Sequence, residues 1–260
     1  MTSVGRIGLL VAAVAVVVAG CSSSTDGGAN AQQEKPAVTT SASASATSSS
    51  AAPVAAGACA YGTARGAAKE VNPPTNVNPP TEGFVSVNLE TSAGPIGLTL
   101  DRAEAPCTTE SFVSLISQQY YDATPCHRLT TQGIFVLQCG DPTGQGTGGP
   151  GYTVPDELPT TLAPYLMDGQ PTSAVIYPRG SIAMANAGPN TVGSQFFLVY
   201  KDSPLPPSYT VVGQIDEAGL ATLDAVAAKG VAPTASDQLG ADGAPAEPVE
   251  IIAATLPNGI

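Results

Sequence analysis

Apolar and polar residues alternate in two adjacent segments, Val85, Val87, Leu89 and then Ile96, Leu98, Leu100, on either side of Ala93-Gly94. Successive side chains of a strand point to opposite faces, so this pattern predicts a half-buried β-hairpin. Short apolar segments recur at Cys126–Leu129, Phe135–Cys139, Ser181–Asn186, Gln195–Tyr200, Thr210–Ile215 and Val249–Leu256. Helical spacing is confined to two places. Phe112, Leu115 and Ile116 follow Pro106, with Thr108 and Thr109 as candidate caps, Glu110 in the first turn and an end near Gln119. Leu220, Leu223, Val226 and Ala227 mark a second helix closed by Lys229 and Gly230. The connections draw on 28 Gly and 24 Pro among 260 residues. Many short strands, long Gly/Pro connections and two lone helices predict a mainly β fold, a closed or nearly closed antiparallel barrel.

The N-terminus has a different texture. Arg6 precedes an apolar run from Ile7 to Val18, and Ala19-Gly20 lead straight into Cys21. The run is too short to span a bilayer as a helix and has signal-peptide architecture, so residues 1–20 are expected to be removed on export. Val-Ala-Gly-Cys resembles the lipobox of bacterial lipoproteins, which implies lipid attachment at Cys21 and a place on the extracytoplasmic face of the cell membrane. Residues 21–57 are rich in Ser, Ala and Thr and lack aromatic residues. They cannot bury enough surface to offset backbone entropy and are expected to form a disordered tether with a reach of about 30 Å. Residues 58–82 hold Val-Asn-Pro-Pro repeats and read as an irregular lead-in. The folded domain is expected over 83–257.

Composition excludes several functions. A formal net charge of −12 with scattered basic residues argues against a nucleic-acid partner. One histidine in the whole chain makes a catalytic zinc site poor chemistry, and neither a metal nor a cofactor is expected. Besides Cys21 there are four cysteines, Cys59, Cys107, Cys126 and Cys139. In an exported domain that number suggests two disulfides, with three connectivities left open beside free thiols.

Two motifs fail on their context. Gly144-Gln145-Gly146-Thr147-Gly148-Gly149 matches the dinucleotide fingerprint in letters, but Pro150 and Pro155 follow where a helix must open. It reads as a tight glycine turn packed beside a site. His127 could serve a serine hydrolase, yet the Gly-x-Ser-x-Gly elbow is missing around Ser194. His127 is read as structural.

The segment Gly180 to Phe197, GSIAMANAGPNTVGSQFF, is of another kind. It resembles the signature of the cyclophilins, peptidyl-prolyl cis-trans isomerases. His127-Arg128, the run Phe135 to Pro142, the turn Gly148 to Tyr152, and Val211-Val212-Gly213 extend the resemblance over Phe84 to Leu256. It implies an eight-stranded antiparallel barrel capped by two helices, in agreement with the pattern above. It also implies proline-containing polypeptides as partners, and the protein is expected to be a monomer.

The chemistry accounts for such residues. Amide resonance gives the X–Pro bond a barrier of roughly 18–20 kcal/mol. An enzyme must hold the twisted amide better than either planar form, and no covalent intermediate is needed. The resemblance assigns Arg128 the guanidinium that stabilises the twisted amide and gives Gln138 and Asn186 the grip on substrate backbone. It gives Gln195 the orientation of the guanidinium side of the cleft. Phe135, Val136, Ala185, Phe197, Leu205 and Tyr209 are implied as the proline pocket and its surround.

This chain departs from the pattern in places. Two extra residues separate Arg128 from Phe135, Val136 stands where Met is usual, Pro204 where Trp is usual, and Tyr209 where many members have His. Residues 157–179 are expected to form an added loop near the barrel mouth. The reading is an active isomerase of exported or cell-surface proteins. The alternatives are a catalytically weak binder or chaperone of proline segments, and a scaffold with a vestigial site.

Overall fold

The computed structural model describes residues 58–233 and 240–257. The expected signal peptide, Cys21 with its lipid, and the 21–57 tether lie outside the described residues. Strand β1 (Gly62–Ala67) precedes the hairpin β2 (Phe84–Thr91) and β3 (Gly94–Asp101). Helix α1 (Pro106–Ser117) leads to β4 (Thr124–Cys126), β5 (Arg128–Thr130), β6 (Val136–Cys139) and β7 (Pro150–Thr153). Then come β8 (Pro164–Met167), β9 (Gln170–Tyr177), β10 (Ser181–Met184), β11 (Phe196–Val199), β12 (Ser203–Leu205) and β13 (Val211–Ile215). Helix α2 (Glu217–Lys229), β14 (Asp242–Gly243) and β15 (Val249–Thr255) complete the order.

The hairpin forms in the register that alternation requires, Val85 opposite Leu100 and Leu89 opposite Ile96, with these apolar side chains buried. Ten strands make one curled antiparallel sheet in the order β14-β5-β6-β11-β10-β13-β3-β2-β15-β4. The expected mainly β architecture with two helices is present, but the ladders are those of an open ten-strand order and not a closed ring of eight. The β4 end of that order is tied covalently to the second and third strands at the other end, since only His127 separates β4 from β5 and a Cys126–Cys139 disulfide joins β4 to β6. The inner face carries the main core, where Phe112 of α1 meets Tyr121 and Phe196 at ring separations of 4.9 and 5.3 Å. Each large apolar side chain fully buried there contributes about 1.5–3 kcal/mol.

Helix α1 corrects one expectation. Thr108 and Thr109 lie inside the helix, and the N-cap residue Ala105 has no side chain to offer. Glu157 caps the helix from a distant loop: its carboxylate accepts the Cys107 and Thr108 N–H groups at 2.9 and 2.8 Å and the Thr108 hydroxyl at 2.7 Å. Helix α2 follows its sequence signals. Asp216 accepts the Gly219 N–H at 2.7 Å, and Gly230 ends the helix with φ +78°.

Two segments are more ordered than their composition suggests. In the 58–82 lead-in, β1 pairs with β7, and a Cys59–Cys107 disulfide fixes the start of that strand to α1. Lys69 Nζ then donates to the Gln119 carbonyl at 2.6 Å. The expected 157–179 loop is largely a β-hairpin, β8 and β9, turning at Asp168 and Gly169 with φ +52° and +77°. Positive φ at both central residues is the turn that matches strand twist, and Asp-Gly supplies it. β12 joins β9 to make a second sheet of three strands.

Candidate active site

The outer face of the curled sheet carries a second, smaller apolar cluster. One row of register runs Arg128 on β5, Gln138 on β6, Phe197 on β11 and Ala183 on β10. Two residues along, Val136 stands opposite Val199. Period-two alternation puts these on one face, so Val136, Ala183, Phe197 and Val199 pack together there, with Tyr177 from β9 against them. The three-stranded sheet covers part of that face. Where the cover stops, a groove of about 270 Å³ opens.

Arg128, Val136, Gln138, Ala185, Asn186, Phe197, Leu205 and Tyr209 all line this groove. Phe197 is its apolar floor, with the Tyr209 ring edge-on at 5.5 Å and Tyr177 at 6.1 Å. Tyr177 also fixes the wall. Its Oη donates to the Tyr209 carbonyl at 2.9 Å and accepts the Tyr209 N–H at 3.1 Å. Burial pushes the Tyr177 hydroxyl up to about 12, so it keeps its proton throughout the neutral range.

Two assignments need correction. Phe135 does not line the groove. It is odd in register relative to Val136, so its ring turns to the main core, edge-on to Tyr200 at 6.0 Å, and Ile134 takes the place on the groove wall. Gln195 does not contact the guanidinium. Its Nε2 donates to the Gly148 carbonyl at 2.9 Å, which leaves its Oε1 to accept the Gln138 Nε2 at 2.8 Å. Gln195 therefore orients Gln138, whose Oε1 is turned the other way. The Asn186 carboxamide holds loops: Nδ2 donates to the Ser208 carbonyl at 2.7 Å and Oδ1 accepts the Gly188 N–H at 3.2 Å.

The group that orients Arg128 is Asp242 of β14. The guanidinium donates Nε to Oδ1 and Nη2 to Oδ2, both at 2.7 Å. This hydrogen-bonded pairing holds the Arg128 pKa above its ordinary value, so the charge is permanent. Asp242 and Tyr177 carry no local sequence signal for these contacts, because each acts from a segment distant in the chain.

The glycine loop is a turn beside the site. The fully buried Asp141 carboxylate accepts N–H groups of Thr143, Thr147 and Gly148 at 2.8 to 3.0 Å. Although burial alone would raise its pKa, these donors hold it below the usual carboxylate range. A side chain at position 148 would collide with that carboxylate, since a Cβ there would lie 2.0 Å from Asp141 Oδ1. Both His127 nitrogens are shielded from solvent, and burial pushes the imidazole below its ordinary value.

A permanent cation over an apolar slot, with the Gln138 carboxamide oxygen as an acceptor on one rim, is equipped to hold an uncharged, twisted peptide group. A family model described as cyclophilin type peptidyl-prolyl cis-trans isomerase/CLD matches residues 86–256. The chain belongs to the cyclophilin family. Two similar proteins are each named probable peptidyl-prolyl cis-trans isomerase B. The one from Mycobacterium leprae (strain TN) is 52% identical over 196 residues, 74% of this chain and 64% of the relative. The one from Mycobacterium tuberculosis (strain ATCC 25618 / H37Rv) is 52% identical over 192 residues, 73% and 60%. The chain thus spans less than two thirds of either relative. A crystal structure of a cyclophilin type isomerase from Cryptosporidium parvum is similar at TM-score 0.53 and 28% identity, covering 67% of this chain and 98% of that one. A second crystal structure of that protein, in the presence of the dipeptide Ala-Pro, gives TM-score 0.52 at 28% identity, covering 66% and 98%. Strand β1 lies before the segment that the cyclophilin family model matches.

Proposed function

We propose that this cyclophilin is a monomeric peptidyl-prolyl cis-trans isomerase acting on exported or cell-surface proteins, and that a lipid on Cys21 holds it at the extracytoplasmic face of the cell membrane. The observation that carries the catalytic part is the Arg128 guanidinium, fixed by Asp242 at the rim of the groove floored by Phe197. The prolyl ring enters the apolar slot. As the amide twists, its nitrogen regains a lone pair and its carbonyl swings, and donors that stay with Arg128 meet that changing charge without reorganising. Gln138, aligned by Gln195, holds the adjoining backbone. No proton is transferred and no covalent bond forms.

The lipobox around Cys21 and the two disulfides, which suit an oxidising compartment, support the exported placement. Proline-isomerisation rates on a neutral Ala-Pro tetrapeptide, for the parent and Arg128→Ala, test the activity. The variant is expected to lose one to three decades in kcat/KM. Retained peptide affinity with no rate in the parent would identify a proline-segment binder instead. Membrane fractionation of Cys21→Ala tests the anchor, with release or an unprocessed precursor expected.

A further inference from the structure

A second cavity, of about 410 Å³, adjoins the proline groove and shares Gln138, Ala185 and Asn186 with it. Its base is the turn held by Asp141, with Gly148 and Gly149, and the side chain of Gln195. Its far wall comes from Ala64 and Arg65 of β1, outside the segment matched by the family model. That wall is built in. β1 ladders to β7 at Gly62, Thr63 and Ala67, and leaves register between Thr63 and Ala67, where Gly66 takes φ +52°. The bowed residues are the ones that border the cavity. Ala68 donates to the Gly149 carbonyl at 2.8 Å, the Tyr61 ring stands edge-on to Tyr152 at 6.0 Å, and Cys59 is bonded to Cys107.

Every other residue lining this cavity is uncharged, so Arg65 supplies its one formal charge among the described residues. The guanidinium is exposed, and the three ion pairs among the described residues are made by Arg128, Arg179 and Lys229. A cation at the mouth of a neutral, hydrogen-bonding cavity stands out on a protein of formal net charge −12 and attracts a negatively charged group. The cavity opens off the groove at Gln138, Ala185 and Asn186, which places it within reach of the residues that flank a proline seated in the groove.

We propose that Arg65 is a specificity residue: it selects substrates that carry an Asp or Glu side chain close to the isomerised proline. The proposal rests on the isomerase reading above, and its test separates the two. Peptides with a central Ala-Pro and a single Glu, Gln or Lys placed one, two or three positions to either side are assayed with the full chain. The Glu:Gln ratio of kcat/KM is the readout. At one placement at low salt, a ratio of about two to five is expected, the size of an exposed ion pair. It should fall towards one in Arg65→Ala, and towards one in 1 M salt, where the Debye length is about 3 Å. In Arg65→Glu the preference should pass to the Lys peptide. Arg102→Ala removes the same formal charge at a position that does not line the cavity and should keep the ratio. A ratio near one at every placement, or one that survives in Arg65→Ala, overturns the proposal. If no peptide is turned over, the isomerase reading fails, and the same ratio read as affinity by fluorescence anisotropy still decides for or against Arg65.

Discussion

Arg128 and Asp242 are joined by two parallel hydrogen bonds of 2.7 Å, although 114 residues separate them in the chain. The geometry uses Nε and one Nη2 hydrogen, so the planar guanidinium can present only its remaining edge to the groove. Asp242→Asn keeps the shape but removes the charge and places a donor against a donor. Turnover should fall about 3- to 10-fold through lost orientation. Both side chains are about half exposed, so stability should move by no more than about 1 kcal/mol. Parent-like kcat/KM in Asp242→Asn, with Arg128→Ala impaired, would show that the guanidinium is positioned by something else.

The pH dependence divides between activity and stability. Arg128 keeps its charge and Tyr177 its proton, so kcat/KM should be flat between about pH 6.5 and 8. Stability is governed differently by His127, whose folded pKa lies below 6.5 because burial disfavours the cation. Below the unfolded value the unfolded chain binds a proton that the folded chain refuses, so stability falls as pH drops from about 6.5 through the folded pKa. With one histidine in the chain, a single imidazole NMR titration reads the folded value directly. A measured pKa above 6.5 would reverse the sign.

Glu157 caps α1 from across the sequence, and Glu157→Ala leaves the Cys107 and Thr108 N–H groups without that acceptor. A lost cap costs about 0.5–2 kcal/mol, and for a domain of this size each kcal/mol lowers Tm by roughly 2–4 °C. Thermal unfolding should show a drop within that range. Glu157→Gln, which can still accept from the helix N-terminus but lacks the charge, should recover part of it.

What could be read from the sequence was what local periodicity encodes. The β2–β3 register follows from Val85 to Leu100, and α2 from Leu220 to Gly230, because pattern and cap lie within one element. The groove residues Arg128, Val136, Gln138 and Phe197 were legible through the family signature, and cross-strand register brings them into one row. Phe135 departs from the signature because it directly precedes Val136, and neighbouring residues of one strand turn to opposite faces. Asp168-Gly169 is a local hairpin signal and makes the turn between β8 and β9 where a loop is expected. Glu157 on α1 and Asp242 on Arg128 had no local signal, because both contacts close only when the chain has folded.

The two disulfides should separate stability from catalysis. Cys59–Cys107 closes a separation of 48 residues and Cys126–Cys139 one of 13. Loop-closure entropy then ranks them at about 4 and about 3 kcal/mol, so losing the first should be the more destabilising. Activity should rank the other way. Cys126 ends β4 two residues before Arg128 opens β5, and Cys139 directly follows Gln138 on β6, so this bridge ties the strand that carries Gln138 to the chain just before Arg128. Cys59–Cys107 fixes β1, which borders the neighbouring cavity and contributes no residue to the proline groove. Cys126→Ala/Cys139→Ala should therefore lower kcat/KM on a neutral peptide several-fold more than Cys59→Ala/Cys107→Ala, despite the smaller loss in unfolding free energy. Mass mapping of the unreduced protein should recover these pairings. Turnover that simply follows stability across the two variants would show that the Cys126–Cys139 bridge holds the fold without positioning the site.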